Sequence, residues 1–80
     1  MIKTEFQYIK FINVPNHPAR KTDIYYCFNR NSNDRLGIVK WHGAWRQYCF
    51  FVDVEYEVIF SKGCIKDISD FIDSLMAARR

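Results

Sequence analysis

The chain has 80 residues, a formal net charge of +3 and a hydrophobic fraction of 49%. Its 18% of aromatic residues, with only three Gly and two Pro, exclude a disordered tail or a collagen-like chain. No apolar run approaches the roughly 18 residues of a membrane span, and the first residues lack the basic-then-apolar order of a signal peptide. We therefore expect one small domain over residues 1–80, with a core built from large rings.

Three cysteines, Cys27, Cys49 and Cys64, form neither an even set nor a CxxC pair. Such a set is not a disulfide framework, so we expect free thiols and a cytoplasmic, reducing compartment. His17 and His42 stand at no zinc-finger or zinc-knuckle spacing from these cysteines. The sequence thus predicts no metal site and no cofactor.

Two strands are predicted in the first 30 residues. Residues 5–13 are rich in β-branched and aromatic side chains, which favours a strand, and two prolines end it within residues 15–18. Residues 22–29 form the second strand, whose alternation places Tyr26 and Phe28 on one face. A cluster of Asn, Ser and Asp at residues 30–34 is typical of a turn.

A hairpin follows, with strands at Leu36–Trp41 and Trp45–Val52 and with Gly43 expected to adopt a positive φ in the connection. The two-residue period continues to Phe60. Because strands seldom exceed about 10 residues, we expect a bend near residues 53–55 and a short fifth strand at Glu57–Phe60.

The last segment has the period of an amphipathic helix. Apolar residues recur at intervals of three and four from Ile65 to Met76, after a capping sequence at residues 61–63. This pattern predicts a helix over Cys64–Ala78. The predicted fold is α+β, a four- to five-stranded antiparallel sheet with one C-terminal amphipathic helix packed on one face.

One helix covers one face of such a sheet, yet the hairpin alternation places large rings on both faces. Charge is uneven as well: residues 1–50 carry eight basic and three acidic residues, and residues 51–80 carry four basic and six acidic ones. The rings and cations of the hairpin are therefore candidate binding residues, with a core role for the rings as the alternative. The candidates are Lys40, Trp41, Trp45, Arg46 and Tyr48.

Two functions fit an aromatic, basic sheet face. The first is protein–protein association, as a homodimer or as a phage-type inhibitor or adaptor of a larger host protein, because Trp, Tyr and Arg dominate such interfaces. The second is binding of single-stranded or structured RNA or DNA by ring stacking and phosphate contacts. The modest net charge favours the first.

An enzyme is not expected. The single arrangement with a mechanism is a Cys64 thiolate at the helix N-terminus with His42 as its base. A buried Cys that packs the first helical turn is the more common situation. We therefore predict a non-enzymatic binding module.

The hairpin sequence from Leu36 to Phe51, LGIVKWHGAWRQYCFF, resembles a pattern in small, uncharacterised bacterial and phage proteins. In that pattern a KWxxxWRQYCFF hairpin precedes a helix with Phe, Cys, Asp-Ile and Phe-Ile at the spacing found here from Phe60 to Leu75. The chain departs from it at residues 52–57, where a turn with Pro or Gly would be expected. The resemblance implies a strand–strand–helix order and brings no activity.

Overall fold

The computed structural model describes residues 2–14, 22–52, 55 and 57–79. Its elements are β1 (Ile9–Val14), β2 (Ile24–Asn29), β3 (Arg35–His42), β4 (Gln47–Phe51) and α1 (Lys62–Ala78). The strands form one antiparallel sheet in the order β1-β2-β3-β4, so each strand pairs with the next one along the chain. The predicted α+β fold, with an antiparallel sheet and one C-terminal helix packed against it, is confirmed.

Helix α1 packs on the sheet through Phe71, which has no solvent exposure. The Phe71 ring stacks on Phe11 of β1 at 3.9 Å between centroids, and it meets Tyr25 of β2 edge-on at 4.9 Å. Ile68 and Leu75, one turn to either side, are buried with it. The helix-covered face of the sheet therefore forms the core. Its buried apolar strand residues are Ile9, Phe11, Tyr25, Cys27, Leu36, Val39 and Tyr48.

The helix begins two residues before the predicted position. Ser61 is its N-cap, because the Ser61 hydroxyl accepts a hydrogen bond from the Cys64 N–H at 3.1 Å. The buried Asp67 carboxylate accepts a hydrogen bond from the Tyr8 N–H at 2.8 Å, which ties the helix to the chain just before β1.

The first predicted strand, residues 5–13, is too long at its N-terminal end. Strand β1 begins at Ile9, and the residues before it fold back alongside the first residues of the strand. The Phe6 N–H donates to the Ile9 carbonyl at 2.8 Å, and the Phe11 N–H donates to the Thr4 carbonyl at 2.8 Å. Neither Gly nor Pro marks this reversal in the sequence.

The hairpin is confirmed, but its turn differs from the prediction. Strand β4 begins at Gln47, because residues 43–46 form the turn. Arg46 adopts the left-handed conformation with φ 55°, and no described glycine has a positive φ. The expectation of a positive φ at Gly43 is therefore wrong, and Trp45 belongs to the turn rather than to the strand.

The predicted fifth strand at Glu57–Phe60 does not form, since these residues pair with no strand in the described part of the chain. The two-residue period instead reflects side-chain packing: Val58 and Phe60 lie against the core, while Ile59 between them is 80% exposed. Phe60 meets the Phe50 ring edge-on at 5.7 Å. Residues 53 and 54 of the predicted bend lie outside the described residues.

Neither a spanning helix nor a metal-binding group occurs in the described parts of the chain. The one helix there is too short and too polar to cross a membrane. Among the same residues, no three His, Cys, Asp or Glu side chains come together as metal ligands. His17, the other histidine weighed as a ligand, lies outside the described residues.

Candidate functional site

The sheet has a second face, which no described residue of α1 covers, and we call it the open face. The strand register assigns its residues, because directly paired residues of antiparallel strands point to the same side. None of these side chains is buried. The open face consists of Lys10, Ile12, Val14, Ile24, Tyr26, Phe28, Arg35, Ile38, Lys40, His42, Gln47, Cys49 and Phe51.

An apolar row crosses the open face from one edge of the sheet to the other. Ile12 pairs with Tyr26, Tyr26 pairs with Ile38, and Ile38 pairs with Phe51. Ile12, at the β1 end of this row, is 47% exposed. A contiguous apolar strip of this kind on a sheet surface is typical of an interaction site.

Basic side chains flank the apolar row on both sides. On one side, Phe28 pairs with Lys10 and with Arg35 of the neighbouring strands. On the other side lies Lys40, opposite Cys49. The strand positions of the open face, all described, include no carboxylate. The face therefore joins an apolar centre to positive charge on both margins.

Each of these cations lies over an aromatic ring of the same face. The Lys40 ammonium is 4.7 Å from the Phe51 centroid, and the Lys10 ammonium is 5.9 Å from the Phe28 centroid. The Arg35 guanidinium carbon is 5.1 Å from the Tyr26 centroid. Cation–π contacts at exposed sites contribute about 0.5–1 kcal/mol each, so these contacts hold the cations near the rings only weakly.

Glu5 lies opposite Lys10 in an isolated bridge outside the four strands. A carboxylate beside Lys10 reduces the local positive potential at that margin. Lys40 is therefore the better position at which to test the charge of the face.

The ring surface continues from the open face onto the β3–β4 turn. The His42 ring lies 5.9 Å from Phe51 and 4.9 Å from Trp45 between centroids, with edge-on geometry at both contacts. Trp45 is 67% exposed. The Trp45 N–H donates to the His42 carbonyl at 3.2 Å, and this hydrogen bond fixes the turn that carries the indole.

The five candidate residues from the sequence do not share one surface. Lys40 lies on the open face, and Trp45 and Arg46 lie in the adjoining turn. Trp41 and Tyr48 pair with each other on the helix-covered face, where their rings meet edge-on at 5.4 Å. Tyr48 is a core residue, and Trp41 is partly buried against the core. These two rings therefore have the core role that the sequence left open as the alternative to binding.

Sequence reasoning missed Tyr26, Phe28, Lys10 and Arg35 as members of the candidate surface. The alternation in β2 had placed both rings on one side, but nothing then linked that side to the cations of the neighbouring strands. A signal was present in β1 and at Lys40: the side of β1 with Ile9 and Phe11 carries no charge, and Lys10 and Lys40 lie on the opposite side from Ile9 and Val39. Alternation alone groups Arg35 with Val39, and the register shift between Cys27 and Phe28 brings Arg35 to the open face.

The structure does not bring together the groups of the possible thiol enzyme. Cys64 is buried at the start of α1, with its sulfur 3.2 Å from the Ser61 hydroxyl oxygen. His42 contacts Phe51 and Trp45 on the other side of the sheet. His42 therefore does not lie beside Cys64, where the mechanism needs a base.

The chain is similar to an uncharacterized 9.3 kDa protein of Acholeplasma phage L2, with 28% identity over 74 residues. The matched region covers 92% of this chain and 91% of the phage protein. No protein-family model matches the chain, and no solved structure matches it significantly. The similarity thus relates this chain to a small phage protein of nearly the same length, and the name of that protein states no activity.

Proposed function

We propose that the chain is a non-enzymatic binding module whose open face binds single-stranded nucleic acid. The observation that carries this proposal is the combination of rings and cations on the sheet face opposite the helix, with Lys40 over Phe51, Lys10 over Phe28 and Arg35 over Tyr26. Single-stranded nucleic acid offers bases that stack on rings and phosphates that attract cations. Each stacked base contributes about 1–3 kcal/mol to binding.

The arrangement of the rows supports this partner more than it supports a second copy of the chain. If two open faces met, the basic margins of one copy would approach those of the other, and facing like charges cost several kcal/mol. A nucleic-acid strand instead matches both parts of the face, with bases on the apolar row and phosphates beside Lys10 and Lys40.

Lys40→Ala tests the contribution of charge. We expect weaker binding of a fluorescein-labelled oligo-dT, and a dependence of log K on log salt that is less steep by about 0.7, the value of one phosphate contact to a single strand. Lys62→Ala is the matched control, because Lys62 is an exposed lysine at the start of α1, away from the open face. Fluorescence anisotropy at several salt concentrations measures both quantities.

Tyr26→Leu tests the contribution of stacking, since it keeps an apolar side chain at the centre of the row. We expect a loss of about 1–3 kcal/mol in binding with an unchanged salt dependence. If the wild-type protein binds neither oligo-dT nor oligo-U at low salt, or if Lys40→Ala and Lys62→Ala have equal effects, the proposal is wrong.

Protein–protein association, the function that the modest net charge favours, is the second candidate, and one observation supports it. The apolar row of Ile12, Tyr26, Ile38 and Phe51 is continuous across all four strands and requires no charged partner. Sedimentation velocity at increasing protein concentration tests the homodimer. A stable dimer that the substitution Ile12→Lys dissociates would favour this candidate over nucleic acid.

We also propose a reducing, cytoplasmic site of action. The support is that Cys27, Cys49 and Cys64 are all free thiols, two of them buried. Free, buried cysteines are typical of proteins that stay in a reducing compartment.

A further inference from the structure

The ring surface extends beyond the strands through Trp45. Tyr26 and Phe51 are two strands apart, which corresponds to roughly 10 Å across the sheet. His42 then follows Phe51 at 5.9 Å, and Trp45 follows His42 at 4.9 Å. The rings therefore form a series from the centre of the open face to the end of the hairpin, with Ile38 filling the space between Tyr26 and Phe51.

Trp45 differs from the other tryptophan in what its ring contacts. Trp41 lies on the helix-covered face, where the Arg79 guanidinium carbon is 4.0 Å from its ring centroid and Tyr48 meets it edge-on. Among the described rings, Trp45 pairs only with His42, in an edge-on contact, and Trp45 is 67% exposed. A large part of the indole surface is thus available to a ligand.

The turn holds this indole in a defined place. The N–H groups of Trp45 and Arg46 donate to the carbonyls of His42 and Gly43, each at 3.2 Å. Arg46 adopts φ 55°, which few residues other than Gly adopt. The chain therefore enters β4 with Trp45 beside the open face.

We propose that Trp45 is the outermost stacking position of the nucleic-acid site, so that a bound strand runs from Phe28 over Tyr26 and Phe51 and leaves the sheet over the turn. This inference rests on the proposed function and adds the length and direction of the site. Base positions at Phe28, Tyr26, Phe51 and Trp45 correspond to a site of about four nucleotides, at the short end of the range for single-domain sites.

Oligo-dT strands of three, six and twelve nucleotides, compared between the wild-type protein and Trp45→Ala, test this inference. For the two longer strands we expect Trp45→Ala to bind about tenfold more weakly, the loss of one stacked base. For the trinucleotide, which the sheet rings alone can hold, we expect less than about a twofold change. Trp45→Phe keeps a ring, so it should restore most of the affinity for the longer strands.

Tryptophan fluorescence supplies a second measurement. With Trp41→Phe, the signal comes from Trp45 and should be quenched as the oligonucleotide binds. With Trp45→Phe, the signal comes from Trp41 and should stay constant. Circular dichroism of each variant checks that the fold is retained.

The possible failures are distinguishable. Suppose that the wild-type protein binds oligo-dT and that Trp45→Ala binds each of the three strands with the same affinity as the wild-type protein. The role assigned to Trp45 is then wrong while the proposed function stands. If Trp45→Ala weakens binding of the trinucleotide as much as that of the twelve-nucleotide strand, Trp45 is not the outermost position. If the wild-type protein binds no strand, both proposals are wrong.

Discussion

The stability of this fold should depend strongly on Phe71, the helix residue that contacts the most rings of the core. Its side chain is fully buried, stacks on Phe11 at 3.9 Å and meets Tyr25 and Phe6 edge-on at 4.9 and 6.2 Å. Phe71→Ala removes these contacts and leaves a cavity between the helix and β1. Both effects destabilise the folded state.

The size of the loss follows from burial and from the total stability. Truncation of a buried Phe to Ala costs about 3–5 kcal/mol, and the ring pairs place Phe71 in the upper part of that range because each contributes about 0.5–1.5 kcal/mol beyond burial. An 80-residue chain has a free energy of unfolding of about 4–12 kcal/mol. Phe71→Ala therefore removes at least about a third of the free energy of unfolding, whereas Phe71→Leu should cost about 1.5 kcal/mol.

Urea unfolding, followed by circular dichroism, measures the difference. With a urea m-value near 1.5 kcal/mol/M, Phe71→Leu should lower the midpoint by about 1 M. Ile65→Ala is the control, because Ile65 lies on the same helix and is 57% exposed, so its loss should stay within about 0.5 kcal/mol. Equal effects of Phe71→Leu and Ile65→Ala would refute the placement of the helix on the sheet.

Three further predictions concern the core. Gly37→Ala should destabilise the fold by about 1–3 kcal/mol in the same urea assay, because an added Cβ would lie 2.8 Å from the Phe50 ring and against the Phe51 carbonyl; an unchanged midpoint would contradict this packing. Burial, with a smaller effect of Cys64, raises the pKa of the Cys27 thiol to about 12. Iodoacetamide at pH 8 should therefore alkylate Cys49 in the folded protein and spare Cys27. Peptide mass spectrometry measures which cysteine is alkylated. Because the folded-state pKa is raised, the stability contributed by neutral Cys27 is complete below about pH 9 and is lost as the pH rises toward 12; Cys27→Ala should remove this alkaline loss.

The sequence predicted the helix and the hairpin because their signals are local. The intervals of three and four from Ile65 to Met76 allow one buried stripe, and that stripe is the one that carries Ile68, Phe71 and Leu75 into the core. The hairpin has strands of alternating rings joined by a short turn.

The errors arose where the deciding interactions are between distant residues or where an unusual residue takes a turn position. Glu57–Phe60 alternates because Val58 and Phe60 pack on the core, and periodicity alone does not distinguish this packing from a paired strand. The left-handed turn residue is Arg46 rather than Gly43, so the usual glycine signal pointed to the wrong residue.

The candidate site was only partly predictable for a related reason. Both faces of the sheet carry rings, and the face that the helix covers is set by contacts such as Phe71 with Phe11, which join residues far apart in the sequence. Trp41 and Tyr48 consequently lie on the covered side, while Tyr26 and Phe28 lie on the open one. The lysines were the better guide, because a charged side chain in mid-strand avoids the buried face.

The most direct test of the open face is a titration of the isoleucine-methyl-labelled protein with oligo-dT, observed by nuclear magnetic resonance at low salt. Ile12 and Ile38 report on the open face, and Ile65 and Ile72 report on the helix. The proposed function predicts that the methyl signals of Ile12 and Ile38 shift as the strand binds, while those of Ile65 and Ile72 stay in place. Shifts confined to Ile65 and Ile72, or no shift at any of the four, would contradict it.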